Sequence, residues 1–193
     1  MTLALTCLVG ILLGARHATE PDHLVAVAAI TARTRGWAGA ASTGARWALG
    51  HSLPVVLVGL ALVLGGIAVP EGWRAYAELP VALMLVLLGS RNVSAHRDPP
   101  IAAPPMLVGL VHGLAGSASI TLILVATDPT TTAALVRLAT FTIGTVVGMM
   151  ACSVIASVSF ERLARPWVVR STGALSMLMG LLLFGRVAAE HWS

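Results

Sequence analysis

The run Arg16-His17-Ala18-Thr19-Glu20-Pro21-Asp22-His23 places two imidazoles, two carboxylates and a guanidinium inside an otherwise apolar stretch, and His51 and His112 stand alone in two further apolar stretches. Ionisable groups at membrane depth cost about 2.5–3.5 kcal/mol each on insertion scales and are kept mostly where they do something. Neutral imidazole suits Ni, Co, Zn, Cu and Fe, and a carboxylate adds hard oxygen character. No thiolate is spaced to join them, and Mg or Ca would want more oxygen ligands. The chemistry indicated is a nitrogen/oxygen site for a borderline divalent metal ion, with His17, Asp22, His23, His51 and His112 as candidate ligands. The plainer reading of each lone histidine is a hydrogen bond from helix to helix within a bundle.

Spacing alone does not gather this set on one regular helix. At 3.6 residues per turn, His17 and Asp22 are about 140° apart and His17 and His23 about 240°. Pro21 removes a backbone donor and disfavours helical geometry at Glu20. A break there would let the imidazoles and carboxylate converge and would free backbone carbonyls, an arrangement tolerated at membrane depth only where protein or water surrounds it. Arg16 is expected to pair with Glu20 or Asp22, or to snorkel, rather than to touch a cation. Met149, Met150, Met177 and Met179 read as gap-filling residues rather than a soft-metal path. Cys7 and Cys152, with no CxxC, read as buried small apolar residues.

These residues need elements that hold them in a bilayer. Of 193 residues, 57% are apolar and only 10% charged, against about 25% charged in soluble domains. That balance excludes a water-soluble domain and a disordered chain. Six apolar stretches are expected as helices spanning the membrane, about Thr2–Ala32, Thr43–Val69, Ala75–Val93, Pro105–Thr127, Thr132–Phe160 and Pro166–Ala189. The fold class is an all-α polytopic membrane protein, one transmembrane domain over residues 1–193, its first helix broken near Pro21. A signal peptide over Met1–Leu13 is disfavoured, because the basic leader is missing and the segment resumes as apolar. Arg33, Arg35 and Arg46 fall in the first loop, Arg91 and Arg97 in the third, and Arg162 and Arg165 in the fifth, with Arg170 close behind. The second loop has Arg74 beside Glu71 and Glu78, and the fourth has Asp128. Basic loops stay in the cytoplasm, so both termini are expected outside a cell (inner) membrane. The net charge of +4 then reports loop placement, and no nucleic-acid partner is expected.

The chain also looks repeated. Gly14-x-x-His17 matches Gly109-x-x-His112, and Gly50 and Gly144 follow 36 and 35 residues after those glycines. Leu88-Gly89-Ser90-Arg91 is paired with Leu183-Phe184-Gly185-Arg186. Three spans per half force opposite orientations, the inverted-repeat plan of many secondary transporters, with halves at about 1–95 and 104–193. Gly10/Gly14, Gly109/Gly113 and Gly144/Gly148 are GxxxG pairs. Because spans 1 and 4 carry theirs beside a histidine, those two spans are expected to pack together.

On these residues the chain resembles the nickel/cobalt transporter family. Gly14-Ala15-Arg16-His17-Ala18-Thr19-Glu20-Pro21-Asp22-His23 is similar to the RHA-x-x-x-DH signature, with His, four residues, then Asp-His. Leu49-Gly50-His51-Ser52 with Val55-Val56 resembles the family's GHS-x-VV signature, and Gly109–Ser117 resembles the second-half histidine segment of shorter, divergent relatives. The departures are six spans rather than about eight, no second acidic motif of LGHDTATE type, no histidine-rich loop, and Glu20-Pro21 where Asp-Ala is common.

The resemblance implies a secondary carrier for a divalent transition-metal ion, foremost Ni²⁺ or Co²⁺, running inward, with the ion bound as substrate and no other cofactor. The expected partners are that ion and the lipid bilayer; homo-oligomerisation stays open. The competitors are a metal exporter of the same superfamily, an anion or amino-acid exporter using Arg16 and His17, and an intramembrane enzyme with Ser52 or Ser117 as nucleophile. The enzyme is disfavoured, since neither HExxH nor a GxSxG elbow is present. No P-loop is visible either.

Overall fold

The computed structural model describes residues 2–65, 73–94, 104–126, 130–161, 163 and 165–192, and the side chains of these except 73–75, 116–126, 165, 191 and 192. Every element among them is a helix: α1 (Leu3–His17), α2 (Pro21–Thr31), α3 (Trp37–Gly65), α4 (Trp73–Ser94), α5 (Pro105–Ala126), α6 (Thr131–Glu161) and α7 (Arg165–Trp192). Four segments are long and apolar enough to cross a membrane: Trp37–Gly65, Tyr76–Ser94, Thr131–Glu161 and Pro166–Glu190. α1 and α2 together make a fifth, bent by 61°. α5 adds 22 helical residues, about the length that a span requires. Leucines such as Leu3, Leu12, Leu57 and Leu182 point outward, the reverse of a soluble protein and what lipid contact favours. The chain is a polytopic helical membrane protein.

The break in the first span falls where Pro21 puts it. Glu20 is extended, with φ −62° and ψ 146°, and Pro21 is the first residue of α2. Tight-turn bonds close α1 instead of an open gap: the Thr19 amide donates to the Arg16 carbonyl at 2.9 Å and the Glu20 amide to the His17 carbonyl at 3.1 Å. Freed carbonyls are expected at the break, but those of Arg16 and His17 are thus occupied. α3 starts at Trp37, six residues before the expected boundary, where the strong helix formers Ala38, Ala40 and Ala41 outweigh Gly39. Arg46 therefore lies on α3 rather than in a loop.

The helices pack in matched pairs. α1 lies on α6 and α5 on α3; α4 lies on α7; α3 and α6 cross each other; α4 touches α5 as α2 touches α7. Close backbone contact at glycine governs these pairings. A Cβ at Gly14 would strike the Phe141 carbonyl and come within 2.7 Å of the Thr145 nitrogen. One at Gly109 would strike the Trp47 carbonyl and come within 2.8 Å of the His51 nitrogen. In return, Gly144 faces the Ile11 carbonyl and Gly50 the Met106 carbonyl. Spans 1 and 4 therefore do not pack on each other as expected; each uses its GxxxG face on a different partner, because α6 and α3 offer the answering glycines. The pairing of Gly89 with Gly185 also needs correction. Gly89 approaches the Gly173 carbonyl and the Met177 nitrogen, Gly180 approaches the Ala82 carbonyl and the Val86 nitrogen in the same way, and Gly185 meets nothing within 4 Å.

Cross-links show which helix ends share a side. The Gly36 amide donates to Glu161 Oε1 at 2.9 Å, joining the first loop to the end of α6. Arg33 Nε donates to Asn92 Oδ1 at 3.2 Å, joining it to the end of α4. The ends leading into loops one, three and five thus lie together, and Glu78 and Arg186 join α4 to α7 through bonds of 2.6 and 2.7 Å. Glu71, Arg97, Asp128 and Arg162, on which the orientation expectation also drew, lie outside the described residues, as do His96 and the side chains of Arg74, Ser117, Arg165 and His191. Met149 is fully buried in the core, and Cys152 and Met179 pack against it. Both cysteines are free and half-buried.

Candidate metal centre

All five candidate residues come together at the break. His17 closes α1, Asp22 and His23 open α2, His51 comes from the middle of α3, and His112 from α5. His17, His23, His51 and His112 are 3% exposed or less. His23 sits at the centre: its ring centroid is 4.3 Å from those of His17 and His112 and 5.0 Å from that of His51. Two overlapping groups of ligand atoms, each within 4.8 Å of one another, result: His17/His23/His51 and Asp22/His23/His112.

Hydrogen bonds fix how the rings are turned. His17 Nδ1 is 2.9 Å from Glu20 Oε2; the carboxylate accepts, so Nδ1 carries the proton and Nε2 keeps its lone pair. That Nε2 lies 3.0 Å from His51 Nε2. Two nitrogens held about 2.1 Å from one ion are about 3.0 Å apart at a right angle and about 3.4 Å at the tetrahedral angle. The pair is therefore spaced to share a cation as well as to share a proton. Asp22 uses both oxygens, Oδ1 at 3.2 Å from His23 Nδ1 and Oδ2 at 3.0 Å from His112 Nε2. It ties α2 to α5.

What stays unpaired is informative. His23 Nε2, His51 Nδ1 and His112 Nδ1 are buried without a hydrogen-bond partner. A buried polar atom with no partner costs about 1–3 kcal/mol. Three on neighbouring imidazoles imply a group that they serve, and a soft-to-borderline cation fits such a donor set. The open edge is formed by the carboxylates: Asp22 is 29% and Glu20 48% exposed. Carboxylates facing lipid would be costly, so this edge fits a water-filled vestibule.

Sequence reasoning left three residues out of the site. Glu20 was considered only as a partner for Arg16, yet it holds His17 while the Arg16 side chain is exposed. The His-x-x-Glu spacing across a proline break was the available signal. Trp47 packs its indole 5.7 Å from His23, 6.3 Å from His51 and 6.1 Å from His112, and Phe141 lies 5.5 Å from His17. These two aromatics, from α3 and α6, form walls of the site, and nothing local in the sequence marks them. Ser52 Oγ is buried with no hydrogen-bond partner, so no base is poised on it for nucleophilic chemistry.

Residues 3–92 match the family model described as high-affinity nickel-transport protein. The chain is also similar to the urease accessory protein UreH of Bacillus sp. (strain TB-90), 26% identical over 198 residues, which cover 89% of this chain and 87% of that protein. No solved structure matches. The resemblance read from the His17–His23 and His51 motifs is borne out over the matched residues, and it points to transport rather than to an enzyme. His112 lies beyond the matched segment.

Proposed function

Starting from the nickel-transport family match over the first half of the chain, we propose that this protein is a secondary membrane carrier that takes up Ni²⁺ or Co²⁺ through an intramembrane site of His17, Asp22, His23, His51 and His112. The observation that carries the reading is the set of three unpartnered buried imidazole nitrogens around one break in the membrane helix. A cation entering there would lose water and gain imidazole nitrogens, among them His23 Nε2, which has no partner, and the His17 and His51 Nε2 atoms, 3.0 Å apart. Before the ion binds, Glu20 and Asp22 accept hydrogen bonds from ring N–H groups and so hold the opposite lone pairs ready, the usual arrangement behind metal-binding histidine.

The mechanism is alternating access. The matched glycine contacts support two inverted halves, residues about 1–95 and 104–193, related so that α1 exchanges with α5, α3 with α6 and α4 with α7. Rocking of one half against the other would open the site to each side in turn. With the basic loop ends in the cytoplasm, both termini are external. An inside-negative potential then favours a divalent ion's entry by about 4.6 kcal/mol per 100 mV, twice the single-charge value. Nickel accumulation by expressing cells tests the reading. Wild type should accumulate nickel above empty controls, with cobalt competing. His17→Ala, Asp22→Asn and His23→Ala should not accumulate it. Less nickel than in controls would mean export through the same site.

A further inference from the structure

The five residues do not form one ring of ligands. They form two groups that share only His23. The edge group, Asp22/His23/His112, contains the carboxylate, which is 29% exposed. The floor group, His17/His23/His51, is wholly buried imidazole. His23 Nδ1 points at Asp22, at 3.2 Å, while its Nε2 is buried and unpartnered. His17 and His51 aim their Nε2 atoms at each other, 3.0 Å apart, and His112 is 5.9 Å from His51 ring to ring.

We propose that these are two successive stations for one metal ion: an edge station of mixed oxygen and nitrogen ligands that receives the hydrated ion, and a floor station of three imidazoles that holds it dehydrated, with His23 serving both in turn. This deepens the carrier reading and rests on it. A neutral imidazole has one lone pair, so His23 can serve one station at a time: through Nδ1 at the edge, with its proton on Nε2, and through Nε2 at the floor, with the proton returned to Nδ1 beside Asp22, and a single chain holds one ion. The order follows from exposure and ligand hardness. Oxygen ligands at the open edge replace water easily, and the buried nitrogens then favour a borderline ion over Mg²⁺ or Ca²⁺. Selection would therefore occur at the floor and capture at the edge.

The test uses purified full-length protein in lipid nanodiscs with Co²⁺, counting bound ions by equilibrium dialysis and reading their ligands from the visible absorption of bound Co²⁺. Wild type should bind one Co²⁺ per chain. His112→Ala, which removes only an edge ligand, should keep one ion with the wild-type spectrum. His51→Ala, which removes only a floor ligand, should keep one ion with a changed, more oxygen-rich spectrum and about tenfold or greater loss of affinity. The double variant and His23→Ala should bind none. His51→Gln and His112→Gln serve where an alanine variant loses helicity or monodispersity. Two ions bound at once to wild type would overturn the proposal, as would identical spectra or equal loss of binding in the two single variants. If wild type neither binds Co²⁺ nor raises nickel uptake, the carrier reading itself fails. If it does both and the single variants behave alike, only the two-station proposal fails.

Discussion

Glu20 shows how a residue outside the candidate ligand set can fix the ring orientation of one within it. Its carboxylate accepts from His17 Nδ1 at 2.9 Å and so turns the Nε2 lone pair inward. Glu20→Ala should weaken nickel binding about 10–100-fold, the usual cost of losing such a carboxylate. Glu20→Gln, which keeps an acceptor oxygen, should recover part of the loss; a nickel titration of the purified variants measures both. Protonation acts on the ligands directly. An imidazolium has no lone pair, so protons compete with the ion for the same nitrogens and nickel binding should weaken as the pH falls. Nickel binding that did not weaken at any acid pH at which the protein stays folded would count against imidazole ligation. The five candidate residues were legible because polar types at this spacing are out of place in apolar helices. Trp47 and Phe141 were not, since an aromatic residue in a membrane helix looks the same whether it faces lipid or walls a site.

At the scale of elements, close helix contact through glycine does what side-chain burial does in a soluble core. Gly14 and Gly109 each lie against a carbonyl of the neighbouring helix. Gly14→Ala and Gly109→Ala should therefore destabilise the bundle, by about 1–3 kcal/mol or more, as overpacking does. Gly185→Ala, with nothing within 4 Å, should be near neutral. Thermal unfolding in detergent separates the two outcomes. The broken first span was legible in advance because Pro21 forbids the regular bond pattern and pushes Glu20 to extended geometry. The partners of the GxxxG faces were not. The motif says that a face can approach closely, but which helix comes to it depends on an answering glycine many residues away, as Gly144 answers Gly14. Gly185 misled for a related reason: in a glycine-rich chain, Gly180 and Gly185 can be told apart only by what packs on them.

For the whole molecule, the proposed function depends on two matched halves that hold an unmatched site. His17 and His112 occupy corresponding places beside Gly14 and Gly109, but Asp22 and His23 belong to the first half alone. Four of the five candidate ligands thus come from the first half and His112 alone from the second, and movement between the halves would change which edge of the site is open. Charge supports the same picture, with Arg33 and Glu161 near helix ends that lie together and the Glu78–Arg186 pair joining α4 to α7. The most direct measurement of the central claim is radioactive nickel accumulation in cells expressing wild type or His23→Ala at matched membrane levels, with the membrane potential intact and then collapsed. The account predicts accumulation by wild type that excess cobalt suppresses, that falls when the potential is removed, and that is absent in His23→Ala. Equal nickel content in wild type, variant and empty cells would contradict it.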